Sequence, residues 1–491
     1  MSESNADRSG DTGTPDDTGG PDDTRAPDGT RAPDGTGTPD RTRAPEPGPV
    51  RPFDFPTVHR SRLAGDDSAE LLVARHGDLP LVTAEVILEG GAAAETPGEA
   101  GIARLVAASL DAGTGSHDVE SLAWEFESLG VELETSAGWD AATAAITVHP
   151  DRLEPALALL AEVVRRPSFP ADQVDRIRDE QLARILQRAK EPRALASDAA
   201  AHFIFADGVP YARPLTGSDE TVRGIGPDRL AAFHQERYRA GSSAIIVTGR
   251  IDADEARDAV GRHFGDWKGD PAAVADFEVR PRLDATTVFL VHRPGSVQSE
   301  IRLGHVGVDR HHPDYFPLVV MNTILGGAFT SRLNMSLRER HGFTYGARSS
   351  FDFRRMPGPF SISVAVASDV TARAIEEALK EIAALRDEGP TDDEMDSARD
   401  YLRGVLPLRL QTTAALASRI AGLVVFDLPD DYFATYRDRI AAVTAADVHR
   451  VAREAVQPDR MAVVVVGDAD QVEEPIRALG IGPIERHDTL P

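Results

Sequence analysis

The 491-residue sequence contains no cysteine. Disulfides, thiolate metal sites and a thiol nucleophile are all excluded by that absence. Basic residues are scarce too: 53 Lys and Arg stand against 80 Asp and Glu, a formal net charge of −27. Nucleic-acid phosphates are held by clustered cations, so this balance argues against such a partner. No apolar run approaches the roughly 18 residues that span a bilayer. The longest, Met461 to Val466, suits a buried strand. The opening MSESNADRSGDTG lacks the basic start and apolar stretch of a secretory signal. A cytoplasmic protein that meets no membrane is therefore expected. Neither a Gly-x-Ser-x-Gly nucleophile elbow nor a phosphate loop occurs, since Gly326-Gly327 has no Gly-Lys-Ser/Thr ending.

What is present divides into a tail and a long globular part. Residues 1–50 are rich in Asp, Thr, Gly, Pro and Arg, with TRAPDGT at Thr24 to Thr30 restarting at Thr30. The segment has 11 acidic and 5 basic residues and almost nothing apolar. It cannot bury enough surface to offset its ordering entropy, and disorder is expected. From about Phe53 the pattern changes. Leu71 to Val73 and Leu81 to Leu88 read as strands, 98–110 as a helix, 141–148 as a strand and 153–164 as a helix. A long charged helix over 171–189, a helix over 228–238 and a strand over 244–248 complete this stretch.

The landmarks then repeat. Pro170 to Arg178 corresponds to Thr391 to Arg399, an offset of 391 − 170 = 221. Ile245 to Gly249 corresponds to Val463 to Gly467, an offset of 467 − 249 = 218. Two separate segments at nearly one offset indicate an internal duplication. The expected fold is α+β: a disordered 1–50, one mixed α/β half over 51–272 and a second over 273–491.

Several phrases resemble the pitrilysin/insulinase metallopeptidase family, which includes the mitochondrial processing peptidase. They are Val86-Ile-Leu-Glu-Gly-Gly, Thr96 to Gly101, Gly113-Thr114, Tyr211 to Gly217, Phe233 to Tyr238 and Phe264 to Trp267. In the second half, Asn322 to Leu333 and Leu337 to Tyr345 look like the family's most recognisable block. The resemblance runs from about residue 60 to the end and implies a LuxS/metallopeptidase-like clamshell of two similar halves facing a chamber.

The same resemblance implies a zinc site that this chain does not spell. Family peptidases place His-x-x-Glu-His on the first helix, so that two imidazoles on one face share an ion and the Glu activates its water. Here Arg104 holds the first His position, Ala107 the Glu and Ala108 the second His. The third ligand, a Glu on the long helix, falls on Gln187. Arginine stays protonated and alanine has no ligand atom, so no metal and no catalytic residue is expected on this chain. The adjacent His311 and His312 precede a proline and read as a solvated loop.

One block survives. Family members use an Arg and a Tyr seven residues apart to hold the substrate carbonyl, and Arg338 and Tyr345 keep that spacing. Gly342 is expected to end the helix carrying Arg338, with Phe343 to Tyr345 starting a strand. The bland alternative pairs Arg338 with a carboxylate such as Glu339 or Asp352 and buries Tyr345. In two-chain bacterial members, one chain holds zinc and the other supplies the pair. The resemblance thus implies a zinc-less subunit of a heteromeric peptidase acting on a peptide or unfolded protein, with zinc in a homologous partner. An autonomous zinc endopeptidase and a scaffold subunit remain alternatives.

Overall fold

The computed structural model describes residues 52–489; the expected tail lies outside them. Two six-stranded sheets organise the chain. The first contains β1 (His59–Arg62), β2 (Glu70–Arg75), β3 (Val82–Leu88), β4 (Leu133–Ala137), β5 (Ala142–Val148) and β6 (Ala244–Gly249), in the order β1-β2-β6-β3-β5-β4. The second contains β7 (Thr287–His292), β8 (Gln298–Val306), β9 (Ala347–Phe351), β10 (Pro359–Ala367), β11 (Ala462–Gly467) and β12 (Ile484–His487), in the order β12-β7-β11-β8-β10-β9. In each, one central pair is parallel, β2 with β6 and β7 with β11. The remaining inner pairs are antiparallel.

The duplication holds residue by residue. Ile246 lies opposite Leu72 and Glu85, while Val464 lies opposite Phe289 and Arg302. The offset between these central residues is 464 − 246 = 218. Symmetry fails at one outer strand: β1 runs antiparallel to β2, whereas β12 comes from the chain's end and runs parallel to β7.

The halves exchange helices. After the 171–190 helix, the Pro192–Ile204 helix leaves its own half and covers β8 and β11 of the second sheet. After the Asp392–Leu408 helix, the Thr413–Val425 helix covers β3 and β6 of the first. The first traveller is alanine-rich on its buried side (Ala194, Ala196, Ala199, Ala200), which lets it lie close to the strands. Its Phe203 stacks on Phe289 with centroids 3.8 Å apart. The second begins at Thr412, whose hydroxyl accepts from Ala415 N–H, and buries Leu416, Ile420 and Leu423 against Leu72, Ile87 and Ile246. Thr248 adds a 2.8 Å hydrogen bond to the Thr413 carbonyl. β6 and β11 are therefore covered on both faces and buried at every residue. Strands buried on both sides read as continuous apolar runs, which is why Met461 to Val466 shows no alternation.

The first helix is shorter than expected, Ile102–Ala108 rather than 98–110. Gly101 before it sits at φ +97°, and a Cβ there would lie 2.5 Å from the Thr216 carbonyl oxygen. A left-handed residue cannot continue a helix inward, so the helix starts after it.

Candidate functional site

The phrases Thr96 to Gly101 and Tyr211 to Gly217, more than a hundred residues apart in sequence, nest against each other. Gln181 of the long helix joins them, donating to the Gly101 carbonyl at 3.1 Å and the Thr216 carbonyl at 2.9 Å. Glu95 secures the start of the Ile102–Ala108 helix. Its carboxylate accepts from Gly101 and Ala103 N–H groups and from Arg213. A negative charge at a helix N-terminus is well placed. Burial pushes the Glu95 carboxyl up to about 6, against the pull of those N–H donors and of Arg213. Nothing in the sequence singled Glu95 out, because its partners come from two distant turns.

The helix so placed carries no metal ligand. Arg104 is half-buried, Ala107 is buried and Ala108 half-buried. Burial, and then the positive charges of Arg184 and Arg188, lower the Arg104 guanidinium's hold on its proton. Gln187 is exposed; the side chains of the long helix whose charges reach Arg104 are Arg184 and Arg188. Guanidinium groups offer protons and no lone pairs, so this donor set does not fit a zinc ion.

The second block stands in the open. Arg338 lies in a turn of π-helix, Met335–Arg340, a geometry often found at functional sites. Its guanidinium sits over the Phe329 ring at 4.2 Å and lies 3.6 Å from the Glu339 carboxylate. One of its nitrogens is buried without a hydrogen-bond partner. Asp352 is instead held by Arg354 at 2.5 Å. Tyr345 is 99% exposed, so it is not a core residue. The helix does end as expected at Gly342, which has φ +63°, but no strand starts at Phe343; β9 begins at Ala347. Residues 343–346 instead form a turn in which Thr344 Oγ1 bonds the Gly346 backbone. Phe329 and Tyr345 both line one recess of about 630 Å³ together with Arg302 and Arg348. No hydrogen bond joins Arg338 to Tyr345, and what connects them is this recess, through Phe329.

Among the described residues, His292, Asp468 and Asp470 bring ligand-type atoms within 4.8 Å of one another. Each of the three already has a partner within the chain. His292 Nδ1 accepts from Ala469 N–H, Asp468 caps the following helix, and Asp470 pairs with Arg486. His312 Nδ1 accepts from Asp314 N–H in a loop, as expected for a solvated pair. No helix among the described residues is long and apolar enough to cross a membrane.

Comparison with known proteins agrees with this architecture. Residues 73–217 match the family model of insulinase (peptidase family M16), and residues 224–402 match that of the peptidase M16 inactive domain. An uncharacterized zinc protease of Mycobacterium leprae is 27% identical over 323 residues, 65% of this chain and 72% of that protein. The mitochondrial-processing peptidase beta subunit of Lentinula edodes is 23% identical over 412 residues, 80% of this chain and 86% of that protein. A peptidase M16 inactive domain from Pseudomonas fluorescens superposes with a TM-score of 0.78 at 28% identity, covering 84% of this chain and 98% of that one. With both halves matched in order, and with the fold and the block at Leu337 to Tyr345 in place, the chain belongs to the pitrilysin/insulinase (M16) peptidase family.

Proposed function

We propose that this chain is the zinc-less subunit of a two-chain M16 peptidase, lending Arg338 and Tyr345 to a homologous partner that carries the metal and cleaves a peptide or unfolded protein. One observation carries the reading. The helix that bears zinc ligands in family peptidases holds Arg104, Ala107 and Ala108, while Tyr345 stands fully exposed and one Arg338 nitrogen, 3.6 Å from Glu339, makes no hydrogen bond. A guanidinium and a phenol can both donate to the oxygen of a carbonyl as charge develops on it. Contact with the Phe329 ring orients the planar Arg338 fork, which lysine could not copy.

The test is co-purification with a homologue holding an intact His-x-x-Glu-His, followed by cleavage of a flexible peptide. Arg338→Ala is expected to lower turnover on the scale of about 10²-fold with the complex intact. Arg338→Lys should recover little of it, and Tyr345→Phe should show a smaller loss. Unchanged turnover in an intact complex would leave a scaffold role ahead. One zinc per purified chain by elemental analysis would restore the autonomous peptidase.

A further inference from the structure

The paired sheets offer a comparison at one equivalent pair of positions. In the first sheet, Glu85 on β3 and Glu134 on β4 both lie opposite Ala145 of β5. In the second, Arg302 on β8 and Arg348 on β9 both lie opposite Ser363 of β10. Ala145 and Ser363 are duplication mates, 363 − 145 = 218. Each pair faces a recess beside the last strand of its sheet, about 820 Å³ at the first and about 630 Å³ at the second. The same scaffold thus presents two carboxylates in one half and two guanidiniums in the other.

The two buried charges differ in how they are satisfied. Arg302 is 5% exposed and fully engaged: it donates to Glu300 at 2.9 Å, to the Ile301 carbonyl at 2.9 Å and to the Arg193 carbonyl at 3.2 Å. Glu85 is 8% exposed and forms no hydrogen bond or ion pair with the described residues, its oxygens opening only to the recess. Its charged neighbours in the recess are Glu132 and Glu134, and no Lys, Arg or His lines it. The rest of the wall is largely hydroxyls, among them Thr83, Thr143 and Thr147 from the strands and Ser418 from the exchanged helix. A carboxylate drawn this far from bulk water without a cation is held at a cost, which a bound cation would relieve. Two carboxylates converging on a hydroxyl-lined hollow supply acceptors only, which is the complement of a group that supplies donors only.

We infer that the recess between β3, β5 and β4 is a subsite for one cationic side chain, a lysine or arginine of a bound peptide, held by Glu85 at its floor and Glu134 at its rim. Entry of the cation gives Glu85 the partner that Arg302 already has within its own chain. The hollow lies next to β4, the free edge of the sheet, so an extended peptide passing that edge can drop one side chain inward. Burial together with the Glu134 charge raises the Glu85 carboxyl to about 7, so below neutrality Glu85 in the empty site is largely protonated and its grip on a cation weakens.

The inference concerns this chain alone and stands or falls apart from any metal-bearing partner. The experiment uses the full chain at pH 8 and low ionic strength. Two labelled flexible peptides, identical except for one central Arg or Gln, are titrated by fluorescence anisotropy. The Arg peptide is expected to bind about tenfold tighter, and Glu85→Gln to erase that difference while leaving the Gln peptide's affinity alone. Glu85→Asp should keep part of the preference. Glu85→Gln removes a buried charge and is not expected to unfold the protein; circular dichroism of the variant checks this. Equal affinity for the two peptides overturns the inference, as does a preference that survives in Glu85→Gln. Displacement of the Arg peptide by submillimolar calcium would also overturn it, by showing an inorganic cation site instead.

Discussion

The two halves share a strand order, a central register and an exchanged helix, yet they carry different chemistry at matched positions. Glu85 and Glu134 stand where Arg302 and Arg348 stand in the other sheet. The first α-helix of the first half has no metal-ligating side chain, and the second half presents Tyr345 to solvent. Duplication preserves where a side chain points, because that follows from backbone pairing and the two-residue period of a strand. It places little constraint on which charge sits there, since an exposed or recess-lining residue contributes little to packing. The halves are tied together where the exchanged helices cover the sheets and diverge in the recesses beside those same helices, towards the last strand of each sheet.

The strongest test of that view attacks the exchanged helices. Phe203→Ala removes a ring stacked between halves and should destabilise the protein by about 3–5 kcal/mol, with Ile420→Ala at the reciprocal contact costing about 2–5 kcal/mol. Each belongs to one half in sequence and to the other in space. Calorimetry should therefore show one cooperative transition that moves as a whole; two separate transitions would break the idea that the halves fold as a unit.

A pH series sharpens the contrast between the buried charges. The folded Glu85 carboxyl lies at about 7, above its ordinary value of 4.5. Between those values the native state holds a proton that the unfolded chain has released, so this group's contribution to stability falls as pH rises through that window. Glu85→Gln should match the wild type near pH 4.5 and exceed its stability by about 2 kcal/mol at pH 8, after allowance for solvent in the recess. A difference in urea midpoint that does not vary with pH would contradict the raised value.

The helix starts give a smaller effect. Thr391 and Glu394 form a capping box at the Asp392–Leu408 helix, while Pro170 at the matched position has no side-chain cap. Thr391→Ala should cost about 1 kcal/mol and Pro170→Ala far less. Equal costs would show that the two starts are stabilised by something other than the cap. The least effect is expected from deleting residues 1–50. The melting temperature of the rest should stay unchanged, because that segment has no apolar side to pack; a clear drop would show that it docks.

Much of this organisation is legible in the residues. The long helix falls at Ala171–Lys190 and β3 at Val82–Leu88, within a residue of the periodic pattern. That Arg104, Ala107 and Ala108 cannot ligate zinc needs only their identities, since side chains without available lone pairs cannot bind the ion wherever they are placed. Boundaries were less legible where backbone geometry intervened, as at Gly101, whose left-handed conformation cut the first helix short. The strand expected at Phe343 fails for a related reason, because the Thr344 side chain bonds its own turn and competes with the sheet.

Amino-acid order by itself determined the duplication, the family block at Leu337 to Tyr345 and the absence of any metal-ligating side chain from the Ile102–Ala108 helix, all of which depend on local pattern and side-chain chemistry. Only the tertiary structure decided that Pro192–Ile204 and Thr413–Val425 cover each other's sheets, that Glu95 caps the first helix, and that Glu85 lacks a partner while Arg302 has three. These depend on contacts between residues far apart in the chain. Periodicity says that a side chain will be buried, but only the packed neighbours decide whether a buried charge is satisfied.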